Sequence, residues 1–262
     1  LNMAFLIGGA NSAADTGFSV ANSCRFNDDD SAYLTRSTES PTDVDKYTFS
    51  CWIKRGNLGA SNCVIFGIQG DNVNAQEILD FNSDDVVWRQ TESGGGNTVY
   101  DRVTDKKFRD ISAWYHIVIA YDSSQGTAGN RCKMYVNGVQ ETSFSTSNDP
   151  SSNLDSIANS NSRTFNLGQV ATGGQFFDGY MAEVVFIDGQ QLAATSFGEF
   201  NSDSPTIWQP IDVSGLTFGN NGFYLDFEDS SALGNDVSGN NNDFTVSNLA
   251  AADQATDSPT NN

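Results

Sequence analysis

Two neighbouring segments near the middle of the chain constrain the fold more than any other feature. Residues 114–121 alternate two largely apolar sets of side chains, which is the period-two pattern of a strand buried on both faces. Residues 133–140 follow closely and place Asn137-Gly138 between two β-prone runs. Asn-Gly is typical of a type I′ hairpin turn, because both central residues need a positive φ. A long buried strand followed by a tight hairpin predicts the centre of a two-sheet β-sandwich.

Short β-prone segments separated by polar turns recur along the chain, as expected of an all-β sandwich. Sustained helical periodicity is absent, and only residues 192–200 have the pattern of a helical turn. The polar stretch 143–162 is predicted to be a long exposed loop, and 222–227 an isolated strand. The other predicted strands are 18–26, 32–36, 47–55, 63–68, 77–81, 85–91, 98–104, 163–170 and 176–188.

A change of composition near Trp208-Gln209-Pro210 divides the chain. We expect an N-terminal arm over 1–17, one sandwich domain over 18–205, and a C-terminal extension over 206–262 that leads into a further module. The apolar start is too short, and lacks the basic residues, for a signal peptide, and Met3 reads as an initiator. No stretch is long enough to span a membrane, so membrane insertion is not expected.

The charge of the chain excludes one class of partner. The 262 residues include 13 Lys and Arg against 33 Asp and Glu, a formal net charge of −20. Nucleic-acid binding requires a basic surface that neutralises phosphates, and anionic membranes are disfavoured for the same reason. The acidic surface predicts solubility and suppressed self-association, with a divalent cation or a basic partner as the alternatives.

The cysteines and the single histidine do not form a chemical site. Cys24, Cys51, Cys63 and Cys132 contain no CxxC pair, and one histidine leaves too few ligands for zinc. We expect four buried free thiols rather than a disulfide framework. His116 lies within the apolar strand and is predicted to be a hydrogen-bonded structural residue rather than a catalytic base.

Several segments together resemble the laminin-G-like, or concanavalin A-like, jelly-roll superfamily. The resemblance covers about residues 18 to 200 and implies a sandwich of two antiparallel sheets. It says little about function, because one fold hosts many functions. The segments are TFSCWIKR (48–55), AWYHIV (113–118), KMYVNG (133–138), FDGYMAEV (177–184) and FIDGQ (186–190).

A second set of segments resembles virion proteins of tailed phages, especially marine ones. It comprises FNDDDSAYL (26–34), RDISAWYH (109–116), NGFYLDF (221–227) and DSPTNN (257–262). The resemblance implies a non-enzymatic capsid-decorating or fibre protein on the virion surface. Its expected partners are other virion proteins, further copies of the chain, and a host-surface glycan. The alternatives are a secreted or cell-surface lectin-like adhesin and, less favoured, a glycoside hydrolase.

Glycoside hydrolysis is disfavoured because it needs two carboxylates aligned across a cleft. Glu77 and Asp80 are separated by an odd number of positions, as are Glu183 and Asp188. Residues of a strand at an odd separation point to opposite faces, so neither pair can act together. We therefore predict no catalytic residue.

The resemblance also implies calcium, the one cofactor that the sequence suggests. Loop carboxylates and amides supply the hard oxygen ligands that this ion requires. The alternative is Asn/Asp turn chemistry, in which these side chains bond their own backbone. The candidates are Asp28, Asp29 and Asp30 beside Asn27, and, in an element resembling D-x-S-G-N-x-N-D, Asp236, Asn240, Asn242 and Asp243 with Ser238.

Carbohydrate recognition usually needs an exposed aromatic platform beside polar loop groups. Trp88, Tyr100 and Phe176 are the aromatic candidates, although all three are equally suited to the core. The sequence assigns no specific sugar site.

Overall fold

The computed structural model describes residues 18–70, 75–92, 97–170 and 172–261, so the arm predicted over 1–17 lies outside the described residues. The three helices in the described ranges are single 3-10 turns, Ala128–Asn130, Ala194–Ser196 and Ala251–Asp253. None of these helices is long and apolar enough to cross a membrane. The strands are β1 (Ser23–Phe26), β2 (Tyr33–Ser37), β3 (Lys46–Arg55), β4 (Cys63–Gln69), β5 (Gln76–Asn82), β6 (Asp85–Thr91), β7 (Thr98–Thr104), β8 (Tyr115–Asp122), β9 (Cys132–Val136), β10 (Val139–Gln140), β11 (Phe144–Asn148), β12 (Thr164–Leu167), β13 (Gly179–Asp188), β14 (Gly198–Phe200), β15 (Trp208–Pro210), β16 (Phe223–Leu225), β17 (Thr245–Ser247) and β18 (Gln254–Ala255).

Within the described residues, two antiparallel sheets of eight strands each form the sandwich, which confirms the predicted fold class. The first sheet has the order β10-β9-β8-β3-β13-β1-β18, and β16 also pairs with β13. The second has the order β11-β7-β6-β5-β4-β12-β2-β17. Strands β14 and β15 form a separate hairpin. The Asn137-Gly138 turn joins β9 to β10, and Asn137 and Gly138 have φ of 48° and 79° as a type I′ turn requires.

Aromatic side chains from the inner faces of both sheets fill the core. The ring of Phe49 in β3 meets that of Phe66 in β4 edge to face, with centroids 4.9 Å apart. Tyr47 packs against Trp88 across the same interface at 6.3 Å. All four are fully buried, and each such side chain stabilises the fold by about 2 kcal/mol relative to an exposed one. Contact between these rings joins the two sheets into one body.

A bulge in β13 changes which side chains face the core. The pairing of β13 with β3 shifts register between Ala182 and Val185, and Glu183 has φ of 50°. Met181 and Val184 therefore both face the inner core, although an uninterrupted strand would place them on opposite faces. The bulge turns Glu183 outward, where its carboxylate accepts a hydrogen bond from the Tyr224 hydroxyl at 2.5 Å.

The outer face of the first sheet is also covered, which explains why β8 is apolar on both sides. The His116 ring stacks between Trp52, at 4.7 Å, and Trp208, at 6.0 Å. The Trp208 indole nitrogen donates to His116 Nδ1 at 2.9 Å, so Nε2 carries the proton and donates to Ser50 Oγ at 2.8 Å. Burial lowers the pKa of His116 to about 3. The structural role predicted for this histidine is confirmed.

All four cysteines are buried and free, as predicted. Burial raises the pKa of each thiol, and that of Cys63 reaches about 11. A thiol that stays protonated is a poor nucleophile and a poor metal ligand. The cysteines therefore act as small apolar side chains within the sandwich.

One loop prediction and one strand prediction are wrong because each depended on distant pairing. Residues 143–162 are not one exposed loop: β11 pairs with β7, and Ser156, Ala158 and Asn159 are buried. The strand within 222–227 is not isolated, since β16 pairs with β13. The helical turn expected over 192–200 is limited to Ala194–Ser196, after which the chain enters β14.

The residues beyond 205 supply strands to both sheets. Strand β16 pairs with β13, β17 with β2, and β18 with β1. The end of this segment is anchored by Asp257, which forms an ion pair with Lys54 at 2.6 Å and accepts a hydrogen bond from Trp114 at 3.0 Å. Ser258 donates to the carbonyl of Val20 at 2.6 Å. The division of the chain at 205 stays a prediction, but the segment packs on the sandwich.

Candidate functional site

An open polar groove lies at the end of the sandwich where β2 ends and where β12, β16 and β17 begin. Its volume is about 740 Å³. Hydroxyl and amide side chains dominate its walls, and one side chain is charged. The lining residues are Ser37, Thr38, Glu39, Ser40, Asn161, Ser162, Asn220, Asn240, Asn241 and Asn242.

A buried network of hydrogen bonds forms the floor of this polar groove. Asp188, at the end of β13, accepts from the backbone of Thr42 at 2.7 Å and of Asn221 at 3.0 Å, and from the Asn159 amide at 2.6 Å. Asn221 in turn pairs with the backbone of Glu39 in both directions, at 2.7 Å and 2.9 Å. The floor therefore fixes two walls of the groove relative to the central strand.

Arg36 lies behind the groove wall with its charge turned inward. Its two terminal nitrogens donate to the Asn221 carbonyl at 2.9 Å and to Asn242 Oδ1 at 2.6 Å. The guanidinium lies over the rings of Phe223 and Phe244, 5.9 Å and 5.8 Å from their centroids. The pKa of Arg36 is lowered by burial, and the nearby carboxylates offset only part of this shift. This cation fastens β2 to the C-terminal segment.

The second group of calcium candidates folds into a loop centred on Asp236. The Asp236 carboxylate accepts from the backbone of Tyr224 and Asn242 at 2.8 Å and from the backbone and hydroxyl of Ser238 at 2.9 Å. Asp243 accepts from the backbone of Asp236 at 2.9 Å. These contacts are those of Asx-turn chemistry, and they position Asn240 and Asn242 on the groove wall.

The first group, Asp28, Asp29 and Asp30, does not line the groove. Asp30 accepts from the Asn27 amide at 2.6 Å, and Asp28 from the Asn57 amide at 3.4 Å. Within the described ranges, no three His, Cys, Asp or Glu side chains are grouped so as to hold a metal. Calcium at either group stays a prediction.

Glu77, which the sequence suggested only as a catalytic carboxylate to be excluded, accounts for two of the aromatic candidates. Glu77 is fully buried and accepts from the Tyr47 hydroxyl, the Trp88 indole at 3.2 Å and the Tyr100 hydroxyl at 2.6 Å. Trp88 and Tyr100 are therefore core residues, and the idea that they form an exposed platform is wrong. Phe176 is half-buried against Tyr33, with ring centroids 6.4 Å apart.

Glu77 also holds the segment that leads to the groove. Its second carboxylate oxygen accepts from the Ser156 hydroxyl at 3.0 Å and from the backbone of Ala158 at 2.8 Å. The donors to Glu77 come from five separate positions of the chain, so no local pattern could have indicated its role.

The other carboxylates weighed for catalysis do not form a pair. Glu77 faces the core, whereas Asp80 faces the outer side of the second sheet, where burial raises its pKa to about 7. Glu183 bonds Tyr224 in the outer cluster, and burial raises its pKa to about 8. The oxygens of Asp188 are occupied by the floor of the groove. Each of these four side chains has its own surroundings, and none shares a cleft with another.

Comparisons with known proteins agree with this architecture. A laminin-G-type family model, described as the concanavalin A-like lectin/glucanases superfamily, matches residues 27–195. No curated protein sequence matches the chain. A Bacteroides ovatus protein that is proposed to bind carbohydrate is similar in structure, with 16% identity, a TM-score of 0.52 and coverage of 88% of this chain. The match spans 61% of that protein.

Two further solved structures are similar at lower scores. A pentraxin from Limulus polyphemus is 17% identical with a TM-score of 0.46, over 67% of this chain and 80% of its own. The LG4-5 domains of the mouse laminin alpha1 chain are 14% identical with a TM-score of 0.45, over 80% of this chain and 48% of their own.

Proposed function

Because the chain belongs to the concanavalin A-like lectin/glucanase superfamily, we propose that it is a non-enzymatic carbohydrate-binding domain whose polar groove holds a glycan. The observation that carries the proposal is the lining of the groove, which consists of hydroxyl and amide side chains and one carboxylate over a hydrogen-bonded floor. Among the described residues, the lining contains no aromatic side chain, so hydrogen bonds to these polar groups would hold and orient the sugar. A wall that is already ordered by Asp188 and Asn221 loses little entropy when a ligand binds.

Binding rather than hydrolysis is supported by the carboxylates around the groove. Glu39 is the one carboxylate among the lining residues of the groove. Asp188 lies beneath it, but its oxygens accept from the backbone of Thr42 and Asn221 and from the Asn159 amide. A hydrolase needs an acid and a second carboxylate that both reach the scissile bond. The groove is therefore proposed to retain a glycan without cleaving it.

We further propose that this domain is displayed on the virion of a tailed phage, as a capsid-decorating or fibre protein. The support is the resemblance of residues 26–34, 109–116, 221–227 and 257–262 to such virion proteins. Its proposed partners are other virion proteins and copies of itself, and the proposed ligand is a host-surface glycan. Symmetric display would multiply weak single-site contacts. The second candidate, a secreted or cell-surface adhesin, uses the same groove without a particle.

Affinity electrophoresis tests the glycan site directly. The wild-type protein and two variants are run through gels that contain β-glucan, mannan, xylan, chitosan or polygalacturonate. Ser40→Trp places a large side chain in the groove wall, and Ser202→Trp makes the same change at an exposed position outside the lining. We expect at least one polysaccharide to retard wild type and S202W but not S40W. Equal migration of S40W and wild type in every gel would refute the site.

Cryo-electron microscopy of source particles tests the virion setting. We expect symmetric density on the capsid or tail into which this sandwich fits. Particles that lack the chain, together with glycan binding by the isolated protein, would favour the adhesin.

A further inference from the structure

We propose that the polar groove selects glycans that donate hydrogen bonds and carry no negative charge, with amino sugars preferred to neutral sugars and polyuronates rejected. The inference rests on the proposed function and names the class of ligand for the same groove.

Two of the five asparagines that line the groove, Asn220 and Asn240, present an amide oxygen to the ligand. Asn240 Nδ2 donates to the carbonyls of Gly219 and Gly222, at 2.7 Å and 2.9 Å, and Asn220 Nδ2 donates to the Ser40 carbonyl at 3.2 Å. A backbone carbonyl accepts and never donates, so the nitrogen of each amide must face the backbone. Both residues are exposed and line the groove. Asn240 has both N–H groups bonded, so only its Oδ1 remains and that position demands a donor, whereas Asn220 offers its Oδ1 and one N–H.

A further wall amide, Asn242, is already bonded through both its nitrogen and its oxygen. Asn242 Nδ2 donates to the carbonyls of Asn220 and Gly222 at 2.8 Å, and its Oδ1 accepts from Arg36. The other terminal nitrogen of Arg36 is bonded to the Asn221 carbonyl. Arg36 is therefore committed to the protein and is not offered to an anionic ligand.

The charge presented to a ligand is negative. Glu39 is the single charged residue of the lining, and it is exposed. Its backbone is fixed on both sides by Asn221, at 2.7 Å and 2.9 Å. In the described contacts its carboxylate takes no hydrogen bond and no ion pair, and its one electrostatic partner is Arg36, whose pKa it raises. Against a chain of net charge −20, this carboxylate repels uronates and attracts the ammonium group of an amino sugar.

Isothermal titration with three tetrasaccharides of matched length tests this selectivity. The ligands are the glucosamine, glucose and galacturonate tetramers, all at low salt and with EDTA present, so that no divalent cation occupies the oxygen-rich wall. The variants are Glu39→Gln and, as a control of equal charge change outside the groove, Glu228→Gln. One exposed ion pair changes affinity by about two- to five-fold.

We expect wild type to bind the glucosamine tetramer most tightly, the glucose tetramer more weakly and the galacturonate tetramer not at all. E39Q should reduce the preference for glucosamine by about two- to five-fold and leave glucose binding unchanged, while E228Q alters neither. Raising the pH above the pKa of the sugar amines should abolish the preference.

Binding of galacturonate as tightly as glucose, or an E39Q variant with the wild-type preference, would overturn the inference but leave a glycan site. Failure of all the tetramers to bind, together with migration of wild type through every polysaccharide gel without retardation, would refute the proposed function itself.

Discussion

Replacing Asp236 by alanine removes the acceptor around which one wall of the groove folds. The carboxylate is buried and accepts hydrogen bonds from the backbone of Tyr224, Ser238 and Asn242 and from the Ser238 hydroxyl. The Tyr224 amide is itself buried, so alanine leaves it without a partner and without water. An orphaned buried donor costs about 1–3 kcal/mol, and hydrogen bonds to a charged acceptor are worth more than neutral ones. We expect the free energy of unfolding to fall by about 3 kcal/mol.

Urea denaturation followed by far-UV circular dichroism and by tryptophan fluorescence measures this loss. Coincident transitions from the two probes justify a two-state treatment. The matched control is Asp229→Ala, because Asp229 accepts from the backbone and hydroxyl of Ser231 at 2.8 Å and 2.6 Å in the same local pattern but is exposed. Water can replace that carboxylate, so D229A should scarcely change the midpoint. Equal midpoints for D236A and D229A would refute the reasoning.

The same proteins separate the structural role of Asp236 from calcium binding. A ligand that binds the native state raises the melting temperature with its concentration. If Asp236 acts through the contacts described, millimolar calcium and EDTA should give wild-type protein the same melting temperature. A rise with calcium in wild type that is absent in D236A would identify the carboxylate as a calcium ligand. A rise that persists in D236A would direct attention to the group at Asp28.

Two further predictions concern the sheets. Burial raises the pKa of Asp80 from its ordinary 3.8 to about 7. The protonated side chain therefore contributes its full stability below the pKa of the unfolded chain, and this stability is lost as the pH rises through the pKa of the folded protein. D80N should therefore gain stability relative to wild type between pH 4 and 7, by up to about 4 kcal/mol, and parallel pH profiles in urea denaturation would contradict this. Gly138 has φ of 79°, and a Cβ there would lie 2.2 Å from the Trp208 ring. G138A should lose about 1–3 kcal/mol more than Gly239→Ala, which has φ of 93° and no neighbour within 4 Å, and only G138A should change the near-UV circular dichroism.

The strands could be predicted because their signal is local. The alternating side chains of β3 and β8 indicate strands that are buried on both faces. The Asn137-Gly138 pair indicates the positive φ angles of its own turn. The predicted bounds of 47–55 and 63–68 differ from β3 and β4 by one residue. The errors arise where a strand is identified by its partner: β11 is polar and lies at an edge, so neither alternation nor apolar content marks it.

The candidate site was less accessible, because its residues act together only after folding. The sequence identified the loop that contains Asp236, Asn240 and Asn242 as a candidate site, with Asn/Asp turn chemistry and a calcium ion as the two alternatives. The structure shows these side chains in contact with Tyr224, Arg36 and backbone groups. No property of a single segment indicated that an arginine in β2 would use the amide oxygen of Asn242.

Composition and periodicity alone determined that this chain is an acidic, all-β sandwich with a structural histidine and free thiols, since charge and alternation are carried by each segment separately. Tertiary structure decided which carboxylates are buried, which aromatic residues form the core, and where the polar groove lies. The groove is built from residues 37–40, 161–162, 220 and 240–242, which are far apart in the chain and meet because β2, β12, β16 and β17 share one end of the sandwich. Sequence patterns describe neighbours along the chain, whereas a binding site is made by neighbours in space.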